Sequence, residues 1–203
     1  KPLASTVILQ LVDEGKVSLD DPVSRYGINL PGTVLVRHLL SHTSEGVPGT
    51  RYAYNGDRFS LLDSVVARAA GKPFAAAVQE RIIAPLGLKH LAPTPQSAAF
   101  AASGLDRNAY LANVVPGYTW VDGRYVATAY QTLFSTAAGL TASARDYAAF
   151  SMAMDRDAFL RPATKVLAWT PVVSPSGATF PYGLGWFATD YKGVRVIWHY
   201  GYW

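Results

Sequence analysis

The sequence predicts an α/β (α+β) protein: a mostly helical body over about residues 1–170 and part of an antiparallel sheet over about 180–203. Three observations carry this. Apolar residues recur at helical spacing in the first 85 residues; a second clear helical pattern lies at "TASARDYAAFSMAMD"; and the spacing turns strand-like after Tyr182. A length of 203 residues, 50% of them hydrophobic and 16% charged, suits one globular unit able to bury a sizeable core.

The first helix is read from Leu3, Val7, Ile8, Leu11 and Val12, which put apolar side chains on one buried face. Pro2 suits a first helical turn, where its missing N–H costs nothing, and Gly15 supplies a stop. Nothing before Lys1 caps this helix, so the capping residue is expected upstream and the chain reads as cut at that point. "LDDPVSRYG" is a turn-rich connection, and "VLVRHLLSHTSEG" holds a short helix that Gly46 and Pro48-Gly49 end.

A firmer helix follows Asp57, with Phe59, Leu62, Val65, Val66 and Ala69 on one side and Gly71 closing it. Pro73 opens the next, with Phe74, Val78 and Ile82 inward, and "APLGL" breaks it. Residues 92–136 have weak periodicity and many aromatics, and read as a long, partly irregular excursion. Within it Tyr118 and Trp120 are expected in core packing, with an acyl pocket as their other use. In the following helix Ser143 and Asp146 predict a capping box, hydroxyl to an orphan N–H and carboxylate reaching back. "YGLGWFATD" and "GVRVIWHYG" flank a turn at Tyr191-Lys192-Gly193 and predict a hairpin. A lone hairpin is too small to be stable, so further strands are expected beyond one or both ends.

Composition excludes several function classes. There are no cysteines, hence no disulfide framework, thiolate metal site or Cys nucleophile. The 18 Lys and Arg against 14 Asp and Glu give +4, but these charges are scattered and no basic run of five occurs, so no nucleic-acid partner is expected. No stretch approaches the ~20 apolar residues of a membrane-spanning helix.

Three clusters can carry chemistry. Lys1 opens a buried helix; a hydroxyl three residues earlier would share its face, and desolvation would make its amine a base. Tyr52 and Tyr54 precede a helix beside Asn55 and Gly56, and a phenol near lysine cations can have its pKa lowered and relay protons. His199 lies near a strand end, with Gly201 able to let a ligand lie against the strand edge. His38, His42 and His90 sit in apolar helical or turn contexts and read as structural, with no metal spacing.

Taken in order, "LQLVDEGKVSLDDPVSRY", "VRHLLSHTS", "PGTRYAYNGDRFSLL", "GKPFAAAVQERIIAPLGL", "AAGLTASARDYAAF" and "YGLGWF" resemble the recurring blocks of the serine β-lactamase-related hydrolases. That group contains class C β-lactamases, D-Ala-D-Ala carboxypeptidases and related esterases. The resemblance implies a β-lactamase/DD-peptidase-like fold, incomplete at both ends, over residues 1–203.

It also implies site residues. Lys1 stands where the family's Ser-x-x-Lys motif has its lysine, so the nucleophilic Ser is expected three residues upstream; neither Ser-x-x-Lys nor Gly-x-Ser-x-Gly occurs within the chain. Tyr54 matches the tyrosine of Tyr-x-Asn, but Gly56 stands where the Asn belongs, with Asn55 one residue early. His199-Tyr200-Gly201 matches a His-x-Gly strand motif that positions the acyl group, with one oxyanion N–H expected from a residue beyond Gly201.

The implied function is a serine hydrolase acting through an acyl-enzyme on an ester, amide or β-lactam carbonyl. Lys1 and Tyr54 are its catalytic residues; Asn55, Gly56, His199 and Gly201 contact substrate. No cofactor or metal is called for, and the partner is a small-molecule or peptide substrate. The 203 residues by themselves are expected to be inactive and to fold poorly. An extracytoplasmic location follows from the resemblance alone. The alternative is a non-catalytic ligand- or cell-wall-binding relative.

Overall fold

The computed structural model describes residues 1–201. Helix α1 (Pro2–Asp13) starts with Pro2 in its first turn and has Lys1 at the N-cap position, with no side-chain hydrogen bond capping it. The expected single apolar face understates its burial: Pro2 to Leu9 are all buried, including Ser5 and Thr6. A helix enclosed on all sides is a core helix. The Thr6 hydroxyl is satisfied by the Pro2 carbonyl at 2.9 Å.

The short helix α2 (Val36–Leu40) is followed by α3 (Gly56–Ser60) and α4 (Leu62–Ala70), so the pattern after Asp57 forms two helices instead of one. Phe59, Leu62, Val65 and Val66 are fully buried. Gly71, at φ +68°, ends α4 in the left-handed conformation that glycine adopts without cost. Helix α5 (Phe74–Val78) runs on as a π-turn over Gln79–Ile83, with Phe74, Val78 and Ile82 inward as expected. Helices α1, α4 and α5 pack on one another and share one apolar core.

The segment 92–136 is more regular than its sequence suggested. Strand β1 (Leu91–Pro93) later pairs with β4 (Leu140–Ala142), a short 3₁₀ turn and helix α6 (Arg107–Leu111) follow β1, and β2 (Tyr118–Val121) and β3 (Arg124–Ala127) form a hairpin. That hairpin turns at Asp122-Gly123, both at positive φ, the two-residue turn whose twist matches the strands. Tyr118 and Trp120 on β2 are exposed, so core packing is overturned: both faces of the hairpin meet solvent.

Helix α7 (Ala144–Asp155) has half of its predicted capping box. The Ser143 hydroxyl accepts from the Asp146 N–H, but the Asp146 carboxylate accepts from the His90 N–H at 2.7 Å instead of turning back. It thereby fastens α7 to the start of β1. Helix α8 (Pro162–Trp169) precedes the final hairpin of β5 (Phe187–Tyr191) and β6 (Val194–Trp198). Its turn is Lys192-Gly193 alone, both at positive φ, while Tyr191 pairs with Val194 inside the ladder. Leu184 and Trp186 join the helical core, so the hairpin is anchored to the helices at its entry.

Candidate active site

The residues that matter come together where the start of α1, the segment before α3 and the end of β6 meet. The Lys1 amine donates to the Ala137 carbonyl at 3.1 Å and lies 4.8 Å above the Tyr54 ring centroid and 5.6 Å from that of Phe59. Burial disfavours its charged form and brings its pKa down to about 8. The Ala137 carbonyl is itself held in place. The Thr136 N–H donates to Asp63 Oδ1 at 2.8 Å, and its hydroxyl donates to the Phe59 carbonyl at 3.1 Å. Gly139 completes this loop at φ +96°, where a Cβ would stand 2.3 Å from the Leu133 carbonyl oxygen.

Tyr54 lies in extended chain just before α3, half-buried. The expected lowering of its pKa is reversed. Burial, followed by the neighbouring phenols of Tyr200 and Tyr52, raises it. The phenol therefore keeps its proton near neutral pH.

Asn55 and Gly56 do less than their motif suggested. The Asn55 side-chain oxygen accepts from the Arg58 N–H and caps α3, while its NH₂ donates to Glu45 at 2.6 Å; both ends of the amide are committed within the protein. Gly56 is the first residue of α3, and a Cβ there would meet open space.

His199 lies just past the end of β6, 6.1 Å from Tyr54 between ring centroids. Its Nε2 accepts from the Tyr182 hydroxyl at 2.9 Å, and its Nδ1 donates to the Tyr200 carbonyl at 2.5 Å. The assignment follows from Tyr182, a fully buried phenol whose pKa is raised by desolvation, so that it donates. Burial pushes the His199 pKa down to about 4, and the ring is neutral. Gly201 is exposed with no neighbour near a would-be Cβ, and the oxyanion N–H expected beyond it lies outside the described residues.

Two residues at the centre were missed as members of the site. Tyr182 was read only as the start of a strand pattern. His42 was read as structural, and it is 1% exposed, yet its ring centroid lies only 4.2 Å from that of Tyr54. The "SHTS" stretch could have flagged it only through its placement opposite "YAYN", which sequence spacing does not encode. Two surface concavities, of about 470 and 440 Å³, include none of Lys1, Tyr54 or His199, so the site rests on the side-chain cluster. Among the described residues no group of three His, Asp or Glu side chains could hold a metal ion, and no helix is long and apolar enough to cross a membrane.

A helical body flanked by an antiparallel hairpin is the architecture this chain shares with penicillin-binding-protein-like folds. The chain superimposes on the octameric penicillin-binding protein homologue of Pyrococcus abyssi with a TM-score of 0.80 at 20% identity, covering 97% of this chain and 53% of that one. With the D-stereospecific amidohydrolase of a Streptomyces species the TM-score is 0.79 at 23% identity, covering 98% and 72%. The family model described as Beta-lactamase matches residues 1–203, and the chain belongs to that family.

Among curated relatives, the D-alanyl-D-alanine-carboxypeptidase/endopeptidase AmpH of Escherichia coli is 29% identical over 47% of this chain and 35% of its own length. Penicillin-binding protein 4* of Bacillus subtilis is 24% identical over 100% of this chain and 54% of its own. The D-aminopeptidase of Brucella canis is 28% identical over 86% and 32%. The chain thus spans about a third to a half of the length of these relatives.

Proposed function

We propose that this chain carries the lysine and tyrosine of a serine hydrolase that works through an acyl-enzyme, with the nucleophilic serine three residues before Lys1. The observation that carries the reading is the Lys1 amine. It is desolvated, held by one carbonyl, and poised near pKa 8, so a substantial fraction is a free base just above neutral pH. In this reading the serine oxygen attacks a carbonyl carbon as its proton passes to the Lys1 amine. The Tyr54 phenol donates to the leaving group and is reprotonated from Lys1. Water then attacks the acyl-enzyme, returns a proton to serine and releases the acid. Oxyanion stabilisation by backbone N–H groups supplies one of the larger shares of the rate.

The substrates to try first are D-amino-acid amides and D-Ala-terminated peptides, followed by simple esters and β-lactams. The names of the relatives support the first two classes. The test is covalent labelling of the full-length protein by a fluorophosphonate, with the adduct located by mass spectrometry. An adduct on the serine upstream of Lys1, lost in Lys1→Ala, is the expected result, and removing such a group slows acylation by about a thousandfold or more. The 203 residues alone should take no label.

The second reading, a non-catalytic binding relative, is favoured by one observation: Gly56 stands where the motif has Asn, and the Asn55 amide is committed elsewhere. Absence of any adduct, with saturable binding of D-Ala-terminated peptides, would select it.

A further inference from the structure

We propose that His42 is a positioning residue that sets the orientation of Tyr54, by holding the N–H groups of the residues on either side of it, Ala53 and Asn55. The proposal rests on the hydrolase reading above for its kinetic consequence, and on geometry alone for its structural one. The His42 carbonyl accepts from the Ala53 N–H at 2.8 Å, and its Nδ1 accepts from the Asn55 N–H at 3.1 Å. Its ring lies on the Tyr54 ring at 4.2 Å, with 33° between the planes. One residue therefore anchors the Ala53 N–H, the Asn55 N–H and the Tyr54 ring between them. No other residue contacts Tyr54 in all three ways among the described residues.

The local backbone argues that this arrangement is held in place by its surroundings. His42 comes two residues after the end of α2, at φ +56°, a left-handed position where glycine or asparagine costs least. Such a conformation persists when the surroundings over-determine it. Glycine there would satisfy the turn, yet would offer neither an acceptor to the Asn55 N–H nor a ring to Tyr54.

The chemistry of the ring is also determined. An Nδ1 that accepts must carry no proton, so the proton sits on Nε2, which is buried with no hydrogen-bond partner among the described residues. The titratable groups around it are Lys1, Tyr52, Tyr54, Tyr182 and His199. Burial, then the charges of Lys1 and His199, push the imidazole down to about 3. His42 is thus a permanent acceptor throughout the working pH range and does not act as a general base.

The experiment compares His42→Phe with His42→Asn in the full-length protein. Phe keeps a ring against Tyr54 and removes the acceptor. Asn keeps an acceptor at the Nδ1 position and tolerates the left-handed backbone. The expected result is that His42→Phe lowers kcat about ten- to a hundredfold with little change in KM, because a misplaced catalytic group costs rate and not binding. His42→Asn should restore most of that loss, and neither variant should shift the pH optimum. In the unsubstituted protein, ¹⁵N NMR of the histidines should show the His42 ring neutral, with its proton on Nε2, down to at least pH 5.

Equal kcat losses in both variants, full activity in His42→Phe, or a proton on Nδ1 would each overturn the proposal. Should His42→Phe not fold, His42→Asn and the tautomer still decide it. If the unsubstituted protein forms no acyl-enzyme, the hydrolase reading fails. His42 is then judged by its tautomer and by whether the Tyr54 ring signals broaden in His42→Phe.

Discussion

Replacing Gly185 by Ala tests the contact that joins the sheet segment to the lysine-bearing helix. Gly185 lies at φ +102°, and a Cβ built there would stand 1.9 Å from the Ser5 hydroxyl oxygen and 2.5 Å from the Ser5 Cβ. The Ser5 hydroxyl can turn about its Cα–Cβ bond, but the Cβ cannot withdraw, because Ser5 is fully buried within α1 and its own N–H is bonded to the Lys1 carbonyl at 2.9 Å. Two costs add. Holding a non-glycine residue at this φ costs about 1–3 kcal/mol, and forcing an extra carbon into a close-packed contact costs about 1–3 kcal/mol more.

We expect Gly185→Ala to destabilise the full-length protein by about 3–4 kcal/mol, a large share of the roughly 5–15 kcal/mol that holds a typical domain together. Urea unfolding followed by tryptophan fluorescence measures it, with the buried Trp186 as the adjacent reporter. Ser5→Gly removes the obstructing atoms but not the φ penalty, so the double variant should recover about 1–2 kcal/mol beyond additivity. A Gly185→Ala variant within about 0.5 kcal/mol of the parent, or strictly additive effects, would refute the close approach of the sheet segment to α1.

Thr136→Val removes the hydroxyl bond to Phe59 and should cost about 1 kcal/mol in urea unfolding; by loosening the Ala137 carbonyl it should also shift the Lys1 titration seen in the pH–rate profile. His42 and His199, both lowered from 6.5 chiefly by burial, bind protons more readily unfolded than folded. Their stability contribution is therefore complete above pH 6.5 and is lost as pH falls through about 4 and then about 3; His42→Asn should flatten the lower part of that curve in pH-dependent unfolding. Lys1 has the same sign at the other end. Its buried ammonium costs stability below about pH 8, the cost is relieved by pH 10.5, and Lys1→Met should abolish that alkaline rise. Gly56→Asn faces open space and should change stability by no more than about 0.5 kcal/mol. It should raise hydrolysis of amides relative to esters, and an unchanged ratio would remove Gly56 from the substrate contacts.

Most elements were legible because their signals are local. Leu62, Val65 and Val66 mark α4; Ser143 marks the start of α7; and Lys192-Gly193 marks the β5–β6 turn. The β2–β3 hairpin was not read from the sequence, although Asp122-Gly123 between two short β-prone runs is a hairpin signal; with both faces in solvent its strands lack the apolar alternation that marks a half-buried strand. Asp146 was misassigned because a capping carboxylate has two possible donors, and the nearer in sequence lost to the His90 N–H.

For the site, the sequence by itself singled out the candidate side chains: Lys1 at the head of a buried helix, Tyr54 before α3, and His199 after the last strand. It could not determine their protonation, because pKa depends on desolvation and on neighbours far away in the chain. Only the tertiary structure put the Lys1 amine under the Ala137 carbonyl, 136 positions along, and over the ring of Tyr54 instead of its hydroxyl. The same packing kept the proton on Tyr54, tied His199 to Tyr182, and set His42 against Tyr54. Periodicity reports which face of an element is buried; what that face is buried against is decided by the fold.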